Sequence, residues 1–237
     1  MVQFVTIEGN VGVGKSTLLH ALSAITASSE LIKFVPEPIE QWRSPIGICP
    51  GHDELEEETP LRLLYDDPQR NGFAFQMYAT HTRLCKLLET SRTTPMPDVI
   101  VMERSCISHA DVFGDLVRPD FSALEWHTYQ ATREMARDIV NHVFGHSNVS
   151  HATVYLRTDP TECLRRIQVR GRPEECDHVT LEHMQRMHAL HESLFFSSPS
   201  SSSQPIYTVD ANGSVDAVAR DVWQLLTGIL APKRYTQ

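Results

Sequence analysis

The segment Gly9-Asn10-Val11-Gly12-Val13-Gly14-Lys15-Ser16 constrains this chain more than any other. It follows the β-branched and aromatic run Gln3-Phe4-Val5-Thr6-Ile7 and opens onto Ser16-Thr17-Leu18-Leu19-His20-Ala21-Leu22, which reads as a helix start. Strand, glycine loop and helix in that order form a phosphate-binding unit. The glycines let the backbone curl so that successive N–H groups, with the helix N-terminus at Thr17 and beyond, face a polyphosphate. Lys15 then reaches the β- and γ-phosphates, and Ser16 offers its hydroxyl to Mg²⁺. Such a unit needs a sheet to stand on. Leu31 to Val35, Val99 to Met102, Thr153 to Leu156 and Ile206 to Val209 are further apolar runs. Segments of helical period lie between them, and Val215, Val218, Ala219, Val222, Leu226 and Ile229 fall on one face of the last. Strands alternating with helices predict an α/β fold, a central parallel sheet flanked by helices on both faces.

Composition bounds the partners. At 237 residues the chain suits one domain, and no internal repeat divides it. Its formal net charge of -9 opposes binding to a nucleic-acid polymer or an anionic membrane surface, both of which require an excess of Lys and Arg. A nucleotide is still admissible, because a few backbone amides and well-placed cations hold phosphate locally. The five cysteines include no C-x-x-C pair, so neither a zinc site nor a disulfide framework is signalled. Without a secretory leader pattern or a span of about 20 apolar residues, the expectation is a soluble, intracellular, cytoplasmic protein. The acidic run Asp53 to Thr59 reads as solvated surface, and the serine-rich stretch 197–203 as a mobile loop.

A phosphate loop alone leaves switches, motors and small kinases open. No guanine-reading N-K-x-D occurs, and the length excludes a large motor, which favours a small kinase. Glu37, in Pro36-Glu37-Pro38 after the second strand, is placed for a general base at the sheet edge where ligands gather. An isolated glutamate is ordinarily just surface, but here neighbouring signals accumulate. Glu103-Arg104-Ser105 leaves the third strand beside the loop, so Glu103 can orient Mg²⁺ or its waters and Arg104 can hold the attacking oxygen or the transferring group. A surface ion pair is the plainer alternative. Arg165, Arg166, Arg170 and Arg172 cluster around a helix end and read as a lid over a triphosphate, about 166–176, with a solvated basic face as the alternative.

These residues together resemble the deoxynucleoside kinases, among them deoxycytidine, deoxyguanosine and mitochondrial thymidine kinases. The resemblance runs through Ile7-Glu8-Gly9-Asn10, Glu37 to Trp42, Tyr65-Asp66-Asp67-Pro68, Phe73 to Tyr78, Glu103-Arg104-Ser105, Arg170 to Glu175 and Leu190-His191-Glu192. It implies an arginine-lidded phosphate-loop kinase. ATP would give its γ-phosphoryl group to the 5′-hydroxyl of a deoxyribonucleoside, with Mg²⁺, Glu37 as base and Arg104 near that hydroxyl. By the same resemblance Tyr65 and Glu175 bind the 3′-hydroxyl, Gln76 reads the base, and Trp42, Phe75 and Phe113 pack around it. Arg166, Arg170 and Arg172 are the lid arginines, Asn212 to Val215 lies beside adenine, and the protein is a homodimer. One departure bears on specificity: His109 stands where deoxycytidine and deoxyguanosine kinases place an aspartate against the arginine equivalent to Arg83. The expectation is that Arg83 loses its counter-ion and swings out, making room for the 5-methyl of thymine, so that the substrate is a pyrimidine deoxynucleoside. A nucleoside monophosphate kinase such as thymidylate kinase shares the loop and the Glu-Pro dipeptide and is an alternative, as is a nucleotide-binding regulator without catalysis.

Overall fold

The computed structural model describes residues 2–26, 31–46, 58–106, 112–145, 149–196 and 204–230. Five strands, β1 (Val2–Gly9), β2 (Ile32–Val35), β3 (Val99–Glu103), β4 (Val149–Arg157) and β5 (Ile206–Asp210), form one sheet in the order β2-β3-β1-β4-β5. Every pairing is parallel, as the continuous apolar strands predict. Alternation along β1 divides the core. Val5 and Ile7 pack with Leu18, Leu19 and Leu22 of α1 (Lys15–Ile25) and with Val222 and Leu226 of α10 (Val215–Leu230). Phe4 faces the other way, toward Leu87 of α4 (Pro68–Thr90) and Val140 and Phe144 of α6 (Ala123–Phe144). Side chains two apart share a face of a strand, so one strand serves both layers. Val215 departs from the expected apolar face of α10, since it stands in the first turn and is 46% exposed. Among the described residues, no helix is long and apolar enough to cross a membrane. The serine stretch 197–203 lies outside the described residues.

Register sets the site. Ile7 of β1 pairs with Glu103 of β3, which brings the start of the glycine loop and the Glu-Arg pair to the same sheet edge. The Arg104 N–H donates to the Ile7 carbonyl at 3.1 Å. Its φ of 55° lies in the left-handed region, a conformation that costs a residue bearing a Cβ about 1–2 kcal/mol.

A buried histidine closes the layer behind β4. His191 of α9 (Leu181–Phe196) is fully buried, stacks on Tyr155 at 5.4 Å and engages the Met187 carbonyl through Nδ1 at 2.8 Å. A carbonyl only accepts, so Nδ1 carries the proton, and the bare Nε2 is buried without a partner among the described residues. Burial first, then the charges of Arg104 and Lys15, push its pKa down to about 3. A base depressed in the folded state contributes stability above its unfolded pKa of ~6.5, and that stability is lost as pH falls toward 3. Between pH 6.5 and 5 the loss should be about 2 kcal/mol. Denaturant titrations at pH 7 and 5 check this: His191→Phe should flatten the dependence, and an equal slope in both proteins would refute the assignment.

Candidate active site

Three glycines shape the phosphate loop, with φ of 143° at Gly9, 77° at Gly12 and 109° at Gly14. Gly12 packs so closely on α7 (Pro160–Arg170) that a Cβ there would lie 2.5 Å from the Cys163 carbonyl oxygen. Asn10 anchors the loop from the other side, its amide donating to the Met184 carbonyl at 3.1 Å, and Val13 is buried beneath it. Lys15 is 4% exposed and folds its ammonium over the loop, donating to the carbonyls of Gly9 at 3.0 Å and Asn10 at 2.7 Å. Burial and the neighbouring Arg104 hold it well below the ordinary lysine range. Phosphate oxygens at the loop would add the negative charge that favours the ammonium.

The Ser16 hydroxyl donates to Oε1 of Glu103 at 2.8 Å, while Glu103 Oε2 is buried without a partner among the described residues. A hydroxyl, a carboxylate and a spare oxygen beside a phosphate loop are the hard oxygen donors that Mg²⁺ takes, usually with several waters kept. The residues fit the ion.

Glu37 sits between the loop and the inner end of the cavity. Its Oε2 accepts from Arg104 Nη1 at 3.0 Å and its Oε1 from Arg83 Nη2, with both partners largely buried. Burial alone would raise its pKa, but Arg104, Arg83 and Lys15 outweigh it and bring the value to about 2. The expectation that Arg83 lacks a counter-ion is therefore corrected. Glu37 is its counter-ion, and the guanidinium lies 4.9 Å from the Trp42 ring centroid instead of swinging out. A buried guanidinium needs a carboxylate, and one carboxylate has room for two arginines. His109 lies outside the described residues.

The inner end of the cavity is built by three helices: α2 (Ile39–Arg43), α3 (Pro60–Asp66) and α4. Trp42 meets Phe75 edge-on at 5.5 Å, and its indole N–H donates to Thr82 at 3.0 Å. Gln76, Ala79 and Arg83 are spaced along one face of α4, which turns an amide, a small side chain and a cation toward the same space. Prolines at the first helical positions of α3 and α4, with Thr59 and Asp67 as caps, break the chain so that Tyr65 enters from the side. Burial, then the Glu175 carboxylate, push the Tyr65 phenol up, so it stays a hydroxyl donor. Phe113 lies under Arg104, 4.5 Å from guanidinium carbon to ring centroid. Trp42, Tyr65, Phe75, Gln76, Arg83 and Phe113 line one cavity of about 650 Å³ together with the glycine loop and the arginine segment expected as the lid.

The lid is folded onto its own acid. Glu175, on α8 (Pro173–Cys176), is 3% exposed and accepts from Arg172 at 3.1 Å and from Arg170. Arg166, expected as a lid arginine, lines the cavity and pairs with Glu162 at 2.8 Å. It donates to the Val13 carbonyl at 2.9 Å and the Ala211 carbonyl at 3.1 Å, joining the phosphate loop to the segment after β5. In that segment the Thr158 hydroxyl donates to Asn212 at 2.7 Å. Sequence reasoning gave Glu8 no role, yet it is buried at the end of β1 among Arg104, Lys15, Arg83 and Glu37, and burial raises its pKa. An acid at the end of a strand that runs into the glycine loop was the available signal.

One cavity thus joins a phosphate loop, a paired carboxylate and an aromatic box. A sequence profile described as deoxynucleoside kinase matches residues 5–228. The chain belongs to the deoxynucleoside kinase family. Deoxycytidine kinase of Rattus norvegicus is 34% identical over 203 residues, 80% of this chain and 74% of that protein. Mitochondrial thymidine kinase 2 of Macaca fascicularis is 28% identical over 239 residues, 97% of this chain and 78% of its own. Mitochondrial deoxyguanosine kinase of Xenopus laevis is 28% identical over 202 residues, 81% of this chain and 72% of its own. As a deoxynucleoside kinase the chain is a phosphotransferase with a hydroxyl acceptor and a nucleotide donor. The monophosphate-kinase and non-catalytic alternatives are set aside.

Proposed function

We propose that this deoxynucleoside kinase transfers the γ-phosphoryl group of ATP, with Mg²⁺, to the 5′-hydroxyl of pyrimidine deoxynucleosides, thymidine included, in salvage for DNA synthesis. The observation that carries the reading is the position of Glu37 and Arg104 between the phosphate loop and the Trp42-Phe75 box in one cavity. A nucleoside with its base in the box would bring its 5′ end to Glu37. Mg²⁺ at Ser16 and Glu103 would neutralise charge on the donor phosphates. Glu37 orients the hydroxyl and takes its proton as the phosphorus–oxygen bond forms, and Arg104 balances the charge. Arg170 and Arg172 would exchange Glu175 for phosphate oxygens as the lid closes.

Base choice follows from donors. Gln76 offers an amide edge, and Arg83 is held with Nη2 on Glu37 and its guanidinium over the Trp42 ring, where it lines the cavity. A guanidinium at the base end of the cavity suits a carbonyl oxygen better than an amino group, which favours thymine. The relatives named as deoxycytidine kinase, up to 34% identical, support a pyrimidine, while those named as thymidine kinase 2 and deoxyguanosine kinase are equally similar at 28%. Comparing kcat/KM for thymidine, deoxycytidine, deoxyguanosine and deoxyadenosine tests this. Thymidine and deoxycytidine should exceed both purines by about tenfold or more, a gap of about 1.4 kcal/mol in transition-state binding. A purine-only enzyme would overturn the base assignment. The homodimer implied by the resemblance would use helices flanking the sheet, and exposed Met135 and Val143 on α6 are consistent with it.

A further inference from the structure

The two residues read as 3′-hydroxyl ligands come from separate elements. Tyr65 lies in the last turn of α3, and Glu175 is in the lid helix α8. Outside the cavity these elements are tied together. Next to Tyr65, Asp66 Oδ1 lies 3.3 Å from His178 Nε2, three residues beyond Glu175, and the His178 ring stacks on Tyr65 itself at 5.9 Å with an interplanar angle of 21°. Next to Glu175, Glu174 accepts from Arg43 Nε at the end of α2, one residue past Trp42. The carboxyl group of Glu174 is mostly shielded, with its side chain 12% exposed.

From this we infer that Arg43, Glu174, Asp66 and His178 form a brace that positions the lid against the acceptor wall, setting the Tyr65-to-Glu175 separation on which 3′-hydroxyl recognition depends. The inference rests on the reading of Tyr65 and Glu175 given above. Two ends of a two-point hydrogen bond must be held together before the ligand arrives, or binding must supply the ordering. Arg43 and Asp66 each stand next to a ligand-wall residue, and they meet Glu174, next to Glu175, and His178, three residues beyond it on the turn after α8, so slack in either tie is passed to the pair. Surface ion pairs contribute little to global stability. Their effect here is on the closed position of a short helix, where a small bias is read directly as affinity. Asp66 also meets Arg62 Nε at 3.4 Å, within its own helix, so the His178 contact is the one that crosses to the lid. These four are positioning residues and touch no reacting atom.

The test compares the preferred pyrimidine deoxynucleoside with its 3′-deoxy analogue in Arg43→Ala, Glu174→Ala, the swapped pair Arg43→Glu with Glu174→Arg, and His178→Phe, which keeps a ring on Tyr65 and removes the polar contact. For the native nucleoside, KM should rise about threefold to tenfold in each single variant of the Arg43 pair, and the swap should recover most of it. His178→Phe should lie between the parent and these variants. The 3′-deoxy analogue should change by less than about twofold throughout. Equal losses for both nucleosides, or none, would overturn the brace. A parent enzyme that uses the 3′-deoxy analogue as well as the native nucleoside would instead overturn the assignment of Tyr65 and Glu175, and the brace with it.

Discussion

Replacing Glu37 with glutamine is expected to reduce kcat by about 10²–10⁴-fold, the usual contribution of a positioned general base, with ATP affinity changed by less than about threefold. The argument needs care, because a carboxylate with a pKa of about 2 is a weak base. A loose phosphoryl-transfer transition state does not require the hydroxyl to be deprotonated first; the proton can leave late, when the attacking oxygen has become acidic. Glu37 then acts first by orienting the hydroxyl, and incoming phosphate charge makes it more basic than it is beside three cations alone. Glutamine keeps the shape but cannot take the proton. It also leaves Arg83 and Arg104 without the carboxylate they share, a loss of about 3–5 kcal/mol for a fully buried pair. Thermal melting must therefore accompany the kinetics. Glu37→Asp separates the two effects, since it keeps the charge and withdraws the oxygens by one methylene. It should retain most of the stability while losing about tenfold or more in kcat. Single-turnover rates and calorimetric ATP binding give the readouts, and a Gln variant with parental kcat would remove Glu37 from the chemistry.

What was legible in the sequence was what lies contiguously along it. Gly9 to Ser16 declares itself because strand, turn and helix follow one another, and Glu103-Arg104 because it ends a strand buried throughout. Both were read correctly as to place. The pairing of Arg83 with Glu37 was not legible, since it joins positions 46 residues apart through the approach of α4 to the end of β2. From sequence, an arginine without its expected acid looks free. In three dimensions burial makes it seek whatever carboxylate is within reach, and Glu37 was within reach. The contacts of Arg166 were not legible for a related reason. Its spacing with Arg170 and Arg172 suggests three equivalent cations, but Arg166 is a turn earlier on α7, close enough to Val13 to be used by backbone carbonyls. The brace between Arg43 and Glu174 has no local signature, because it joins residues 131 positions apart.

Gly12→Ala is expected to be the most damaging single change in the donor site, and the comparison with Gly14→Ala shows why. Both positions have positive φ, so an alanine at either pays the left-handed strain of about 1–2 kcal/mol. At Gly14 the new methyl group finds space, its nearest neighbour being an Arg166 guanidinium nitrogen at 4.0 Å. At Gly12 it would lie 2.5 Å from the Cys163 carbonyl oxygen and 2.9 Å from the Ile167 side chain. The carbonyl belongs to α7 and cannot swing aside, so the loop and the helix must separate. That separation would break the Arg166 bond to Val13 and shift the helix leading to Arg170, which links a packing fault to donor binding. We expect a total cost of about 3 kcal/mol or more for Gly12→Ala, lowering Tm by about 6–12 °C in a chain of this size. ATP affinity should fall by more than about tenfold, because the loop amides no longer converge on one phosphate. Gly14→Ala should show the strain alone. Melting curves and calorimetric ATP titration of the two variants decide the matter, and equal effects at both positions would mean that contact with α7 contributes nothing to the loop.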